Sequence, residues 1–184
     1  MRLVIFAALA ALAASTSQAQ QFFQSSDGTV DFSKAAFADS TDPANWDVIT
    51  DSVAITRADV LGIYNPFAEA VSSGGIGNSP AGTLWAFGRT VQDVIDGVIG
   101  LGDFNPWVTA IANNPPATIG ELGVIYLVDD DAFVDITFTE WGEGRSGGGS
   151  FSYRRAVVNV VPEPTGLGLM ALAATGLAAR RRRV

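Results

Sequence analysis

Alternation between apolar and polar positions is clearest late in the chain. Residues 122–128 form a nearly continuous apolar run, Asp129-Asp130-Asp131 interrupts it, and residues 132–141 resume with a period of two. Successive side chains on a strand point to opposite sides. Val134, Ile136 and Phe138 therefore share one face, and Asp135, Thr137, Thr139 and Trp141 share the other. Two such runs around an acidic turn predict a β-hairpin. The glycine-rich stretch 142–149 predicts a flexible connection to a further strand beginning at Phe151-Ser152-Tyr153. Earlier strands are predicted at 29–32, 48–56, 61–64 and 83–87, with Gly, Ser, Asn, Asp and Pro punctuating them. Short helices are predicted at 91–95 and 107–112, the second ended by residues 113–116. Residues 67–81, rich in Ser, Gly and Pro, predict a long loop or lid. Many short strands at this spacing indicate an all-β fold: a single antiparallel β-sandwich or jelly-roll-like domain with one or two short helices.

Both ends of the 184-residue chain depart from this pattern. After Arg2, residues 3–14 are unbroken apolar, too short for a stable membrane span and without the polar face of a buried amphipathic helix. Ser17-Gln18-Ala19 follows, with small residues at the two positions a signal peptidase reads. Residues 1–19 are therefore expected to be a signal peptide, handled by the Sec translocon and cut after Ala19. A C-terminal segment, 162–184, separates from the rest as well, leaving 20–161 as one exported domain of ordinary size.

That domain holds six basic residues (Lys34, Arg57, Arg89, Arg145, Arg154, Arg155) against eighteen acidic ones, a net charge of −12. Such a surface repels phosphate backbones, which excludes nucleic acid as an expected partner. The whole chain carries −8, softened by the arginines at its ends. There is no cysteine and no histidine. Disulfides, thiol nucleophiles, His-dependent triads and Cys/His zinc sites are thereby excluded.

The C-terminus reads Val161-Pro162-Glu163-Pro164, then an uncharged stretch at 165–179, then Arg180-Arg181-Arg182-Arg183 and Val184. The two prolines fix their own φ and push their preceding residues toward extended backbone, giving a stiff strand that an enzyme can bind. As a helix, the stretch would rise about 22 Å, short of the roughly 30 Å hydrocarbon core. Snorkelling arginines and local thinning cover such a deficit. Four arginines would hold their end on the cytoplasmic side and place the domain outside. This arrangement resembles the PEP-CTERM sorting signal of Gram-negative bacteria, the tail recognised by exosortases. The resemblance implies that Pro162, Glu163 and Pro164 are the sorting motif, that residues 165–179 form a transient inner-membrane helix, and that Arg180, Arg181, Arg182 and Arg183 stop transfer. It further implies cleavage by a membrane-embedded exosortase near the motif and delivery to the cell surface or the exopolysaccharide matrix.

Within the domain, Ile55-Thr56-Arg57, the run from Ser79 to Gly88 (SPAGTLWAFG), Pro115-Pro116, the triplet Asp129-Asp130-Asp131 with Asp135, Phe138-Thr139-Glu140-Trp141-Gly142 and Gly149-Ser150-Phe151-Ser152-Tyr153 stand out. The region 47–155 that carries them is similar to an uncharacterised domain of secreted bacterial proteins that bear various C-terminal sorting tails. That resemblance implies a fold and a location, and no reaction.

Three constellations are candidates for chemistry. Asp129, Asp130, Asp131 and Asp135 could gather oxygen ligands for calcium from a turn and the next strand, but the spaced Asp pattern of a calcium loop is absent; a solvated hairpin turn with an outward strand residue is the preferred reading. Trp141 and Tyr153, with Trp46, Trp85, Trp107 and Phe151, could offer a platform for sugar rings, against the ordinary fate of large aromatics in the core. Glu140 and Glu143 flank Trp141, and a glycosidase needs two carboxyls roughly 5–10 Å apart across a cleft. No residue is assigned a catalytic role, and no cofactor is required. The expected function is a non-enzymatic surface or extracellular-matrix protein. The alternatives are a carbohydrate- or calcium-dependent module associated with exopolysaccharide and, behind it, a secreted hydrolase.

Overall fold

The computed structural model describes residues 19–70 and 79–159. Residues 1–18 of the expected signal segment, the middle of the 67–81 loop, the Pro162-Glu163-Pro164 motif, the apolar stretch 165–179 and Arg180 to Arg183 lie outside the described residues. Among the described residues, no helix is long and apolar enough to cross a membrane.

The described residues are mostly antiparallel β-sheet with two short α-helices. The strands are β1 (Gln21–Phe23), β2 (Thr29–Lys34), β3 (Asp47–Val48), β4 (Ala54–Arg57), β5 (Ile63–Tyr64), β6 (Thr83–Phe87), β7 (Leu122–Leu127), β8 (Ala132–Trp141) and β9 (Phe151–Ala156). The helices are α1 (Val91–Ile95) and α2 (Trp107–Ala110). A large sheet runs β2-β9-β8-β7-β6, and a small sheet runs β3-β4-β5. The strand expected over 48–56 is in fact two, β3 and β4, joined by a turn in which Ile49 N–H and Thr50 N–H both donate to the Val53 carbonyl. The purely antiparallel expectation fails on β8. β1 runs parallel to it, pairing Gln21 to Phe23 with Ala132 to Val134 on the stretch of β8 that β9 does not reach. β8 also forms an isolated parallel bridge from Phe138 to Ile119.

Both faces of the large sheet are covered, which is why residues 122–128 read as continuous grease rather than alternation. One face gives Trp85, Ile125, Leu127, Val134, Ile136, Phe138, Phe151 and Tyr153 to a core shared with Ile49, Val53, Ile55 and Ile63 from the small-sheet region. The opposite face gives Ala86, Val124 and Phe133, which meet Val91 of α1 together with Ile99 and Phe104. Helix α1 starts where it does because Thr90 and Asp93 form a reciprocal capping box.

Near the end of β8 the register slips. Phe138 pairs with Tyr153, but Glu140 pairs with Ser152 and Trp141 with Phe151, so Thr139 is an extra residue. A bulge of this kind turns every later side chain to the other face. Trp141, expected beside Thr137 and Thr139, therefore joins the core side instead. Its ring meets Phe138 and Phe151, each with centroids 6.1 Å away.

Candidate functional site

The aromatic candidates end up largely in the core. Tyr153 is buried, and its hydroxyl donates to Asp47 Oδ2 at 2.7 Å. It is no ligand platform, which corrects the sequence expectation. The physical reason is its pairing with Phe138 on the inward face of β9. Trp85 and Trp107 are buried too, and Trp85 Nε1 donates to Thr83 Oγ1. Trp141 is half-buried, but the Arg57 guanidinium lies over its ring at 3.7 Å from the centroid. One indole face is thus taken by a cation–π contact rather than offered to a sugar.

The four aspartates do not converge. Asp130 Oδ2 accepts from Thr50 Oγ1 at 2.8 Å and Ser52 Oγ at 2.9 Å, fastening the β3–β4 turn. Asp131 Oδ1 accepts from the Tyr126 hydroxyl and from Gln20 Nε2, next to the start of β1. Asp135 accepts from Val91 N–H at 2.7 Å and Ser25 N–H at 2.9 Å, tying α1 to β8. Asp129 is exposed. Among the described residues no three carboxylates gather as a metal site. The calcium alternative gains no support, because Asp130, Asp131 and Asp135 each accept from different donors and Asp129 stands exposed. Glu140 and Glu143 are both exposed, Glu140 facing Ser152 Oγ at 3.5 Å.

What the structure does assemble is a cavity of about 240 Å³ lined by Arg57, Leu61, Trp107, Asn113, Trp141 and neighbouring apolar residues. Arg57, at the end of β4, is only 3 % exposed. Its Nε donates to the Leu61 carbonyl at 2.7 Å, and its Nη1 donates to the carbonyls of Gly142 and Ser150 at 2.9 and 2.8 Å. Nη2 has no acceptor among the described residues, and no Asp or Glu lines the cavity. Desolvation lowers the Arg57 pKa to about 10, so it stays charged at neutral pH. Trp107 Nε1 is a buried donor without an acceptor among the described residues. Lys34, on β2, is 1 % exposed, and its ammonium also lacks a hydrogen-bond partner. Burial lowers its pKa, with Asp59 opposing that shift and the Arg57 charge adding to it. Across the Val60–Leu61 wall lies a second cavity, of about 430 Å³, whose lining includes Asp39 and Asp59.

The glycine-rich loop that closes this region is packed, contrary to the flexible connection expected. Gly148 carbonyl accepts from Phe37 N–H at 2.7 Å, and Gly147 N–H donates to Glu143 carbonyl at 3.0 Å. A Cβ on Gly149 would stand 2.5 Å from the Ala58 carbonyl oxygen, and one on Gly148 would meet Phe37. The glycines serve close approach, with Arg57 bound to carbonyls at both ends of the loop.

Sequence reasoning passed over Arg57 as a site residue, along with the buried cluster of Asp47, Tyr153 and Arg155. A signal existed for the cluster. Phe151, Tyr153 and Arg155 alternate, so Arg155 had to point inward with the aromatics. Its Nε and Nη2 donate to the two Asp47 carboxylate oxygens at 2.7 and 2.8 Å. For Arg57 the only cue was a charge after the apolar pair Ala54-Ile55.

Burial raises the phenol pKa of Tyr64 and Tyr126, and raises that of Tyr153 furthest, where the Asp47 carboxylate adds to the effect. These are the only three tyrosines in the chain. Unfolded phenols ionise near pH 10. Above that pH the folded state holds protons that the unfolded chain releases, so this contribution to stability is complete below pH 10 and is lost as pH rises further. Lys34 and Arg57 act in the opposite sense, since folding makes each release its proton more readily. An alkaline titration should accordingly show little tyrosinate absorbance at pH 10, then a rise together with the loss of near-UV circular dichroism. A smooth titration of all three phenols around pH 10 with the fold intact would contradict this burial.

No family model, curated protein or solved structure matches the chain.

Proposed function

We propose that the chain is an exported surface or extracellular-matrix protein whose tail is an exosortase sorting signal, and whose domain is a two-layer, sandwich-like unit with a structural, non-catalytic role. Removal of residues 1–19 by signal peptidase would free the N-terminus. Residues 165–179 would lodge in the inner membrane with Arg180 to Arg183 on the cytoplasmic side, presenting Pro162-Glu163-Pro164 outside. The observation that carries this reading is the order of the tail: rigid proline motif, uncharged apolar stretch, arginine cluster. The structural role is supported by how the carboxylates are employed. Asp47, Asp130 and Asp135 hold turns, a helix start and a buried arginine. A protein that must stay folded outside the cell without a disulfide depends on such ties and on its core.

A second reading, a carbohydrate-binding module associated with exopolysaccharide, is favoured by one observation: the cavity beside Arg57, Trp107 and Trp141.

Replacing Pro162, Glu163 and Pro164 together with alanine should leave the protein in the inner membrane at its uncleaved size, while the parent chain is released. Release of the altered protein at the same size as the parent would reject the sorting role of the motif.

A further inference from the structure

We infer that the Arg57 cavity is a binding site for a small hydroxylated carboxylate, of the kind carried by a uronic acid residue of an acidic polysaccharide. This deepens the binding reading above and rests on it, but is independent of how the chain is routed.

Charge comes first. In a domain of net charge −12, Arg57 is desolvated with no carboxylate beside it, and the cavity it lines contains no acid. A buried cation without a counter-charge costs several kcal/mol relative to water, so an anion that reaches it gains more than it would at an exposed arginine. The free Nη2 can make the charge-assisted hydrogen bond that a carboxylate oxygen accepts best. Backbone carbonyls already hold Nε and Nη1 in place, and the guanidinium rests on Trp141. The donor is therefore pre-organised, and little side-chain entropy is lost on binding.

Size and lining come next. At about 240 Å³ the cavity falls below the usual ~300–1,000 Å³ of drug-sized sites. One sugar unit is the appropriate scale, with the rest of a polymer outside. Asn113 lines the cavity as an exposed residue whose amide has no partner among the described residues, and it can both donate to and accept from hydroxyl groups. Leu61 and Gly62 line the cavity beside the indoles.

The test uses the full-length ¹⁵N-labelled chain in detergent micelles, titrated at constant ionic strength with sodium glucuronate, glucose or sodium acetate. Its four tryptophans give four indole N–H signals. Those of Trp46 and Trp85 are held by Ser40 and Thr83, away from the cavity, while Trp107 and Trp141 line it. Glucuronate should shift Trp107 and Trp141 saturably and leave the other two in place, with neither glucose nor acetate doing so. Asn113→Asp and, separately, Val60→Glu place a carboxylate at the exposed rim without touching the Arg57 bonds. Asn113 has φ 58°, a conformation Asp also tolerates. Each variant should weaken glucuronate binding at least tenfold with the melting temperature unchanged. No saturable shift at Trp107 or Trp141 up to about 10 mM, weaker than the millimolar range of about −4 kcal/mol, would overturn the inference. Equal binding of glucose or acetate would also overturn it, as would undiminished affinity in both rim variants. Because binding is measured on purified protein, a negative result leaves the sorting proposal intact, and a failure of sorting leaves this site intact.

Discussion

Asp47→Ala should bring the domain close to unfolding at room temperature, whereas Asp31→Ala should leave its urea midpoint unmoved. Both aspartates pair with arginines that are adjacent on β9, yet the pairs lie in opposite environments. Arg154 and Asp31 are mostly exposed, and water and salt screen an attraction that already competes with two flexible side chains. Arg155 and Asp47 are each less than a tenth exposed, and Asp47 also accepts from the Tyr153 hydroxyl. Removing Asp47 leaves a guanidinium and a phenol buried without their acceptor. Breaking a buried pair in this way costs about 3–5 kcal/mol, against a total stability of about 5–15 kcal/mol for a typical domain. With a urea slope of about 2 kcal/mol per molar, the midpoint should fall by about 2 M. Removing the charge on both sides, as Asp47→Leu with Arg155→Met, should recover much of the loss, since replacement of a whole buried pair by apolar groups is often near neutral. Equal midpoints for Asp47→Ala and Asp31→Ala would show that the cluster does not hold β3 against β9.

Gly149→Ala should be the second severe substitution, although it adds one methyl group. The residue sits at φ 69°, where an L side chain is strained, and the new Cβ would stand 2.5 Å from the Ala58 carbonyl oxygen. Left-handed backbone costs about 1–3 kcal/mol for a residue with a Cβ, and forced overpacking adds about 1–3 kcal/mol. The sum is about 2–6 kcal/mol, read as a drop in urea midpoint comparable to that of Asp47→Ala. Gly144→Ala is the matched comparison: φ is 60°, but nothing lies within 4 Å of its added Cβ. Only the backbone strain should remain there. Similar losses in the two variants would mean that the loop is slack and that the contact with Ala58 does not matter. Ser150, next in the chain, gives its carbonyl to Arg57, so Gly149→Ala should also disturb the cavity, while Gly144→Ala should not.

The strands and helices were legible wherever the pattern was local. The β7–β8 hairpin, β6 and α1 fall at the positions the local pattern and turn residues predict. Four features were not legible, each for a physical reason. β1 is too short to show a period, and it pairs in parallel with a strand more than a hundred residues away. The bulge at Thr139 is invisible to a period-two reading, which is how Trp141 came to be assigned to the wrong face. The acidic triplet resembled a ligand set because sequence reports which carboxylates are neighbours, not where a turn points them. Arg57 was missed for the converse reason. Its partners are backbone carbonyls, two of them, on Gly142 and Ser150, more than eighty residues away, and carbonyls carry no sequence signature.

The central claim concerns the two ends of the chain, and the intact mass of the protein in cells producing either the parent sequence or the Pro162-Glu163-Pro164 alanine variant tests it most directly. The account predicts that the parent chain, recovered outside the cell, begins at Gln20 and ends near Pro162, and that the variant stays in the membrane with its arginines attached. Recovery of the parent chain in the cytosol, running from Met1 to Val184, would contradict it.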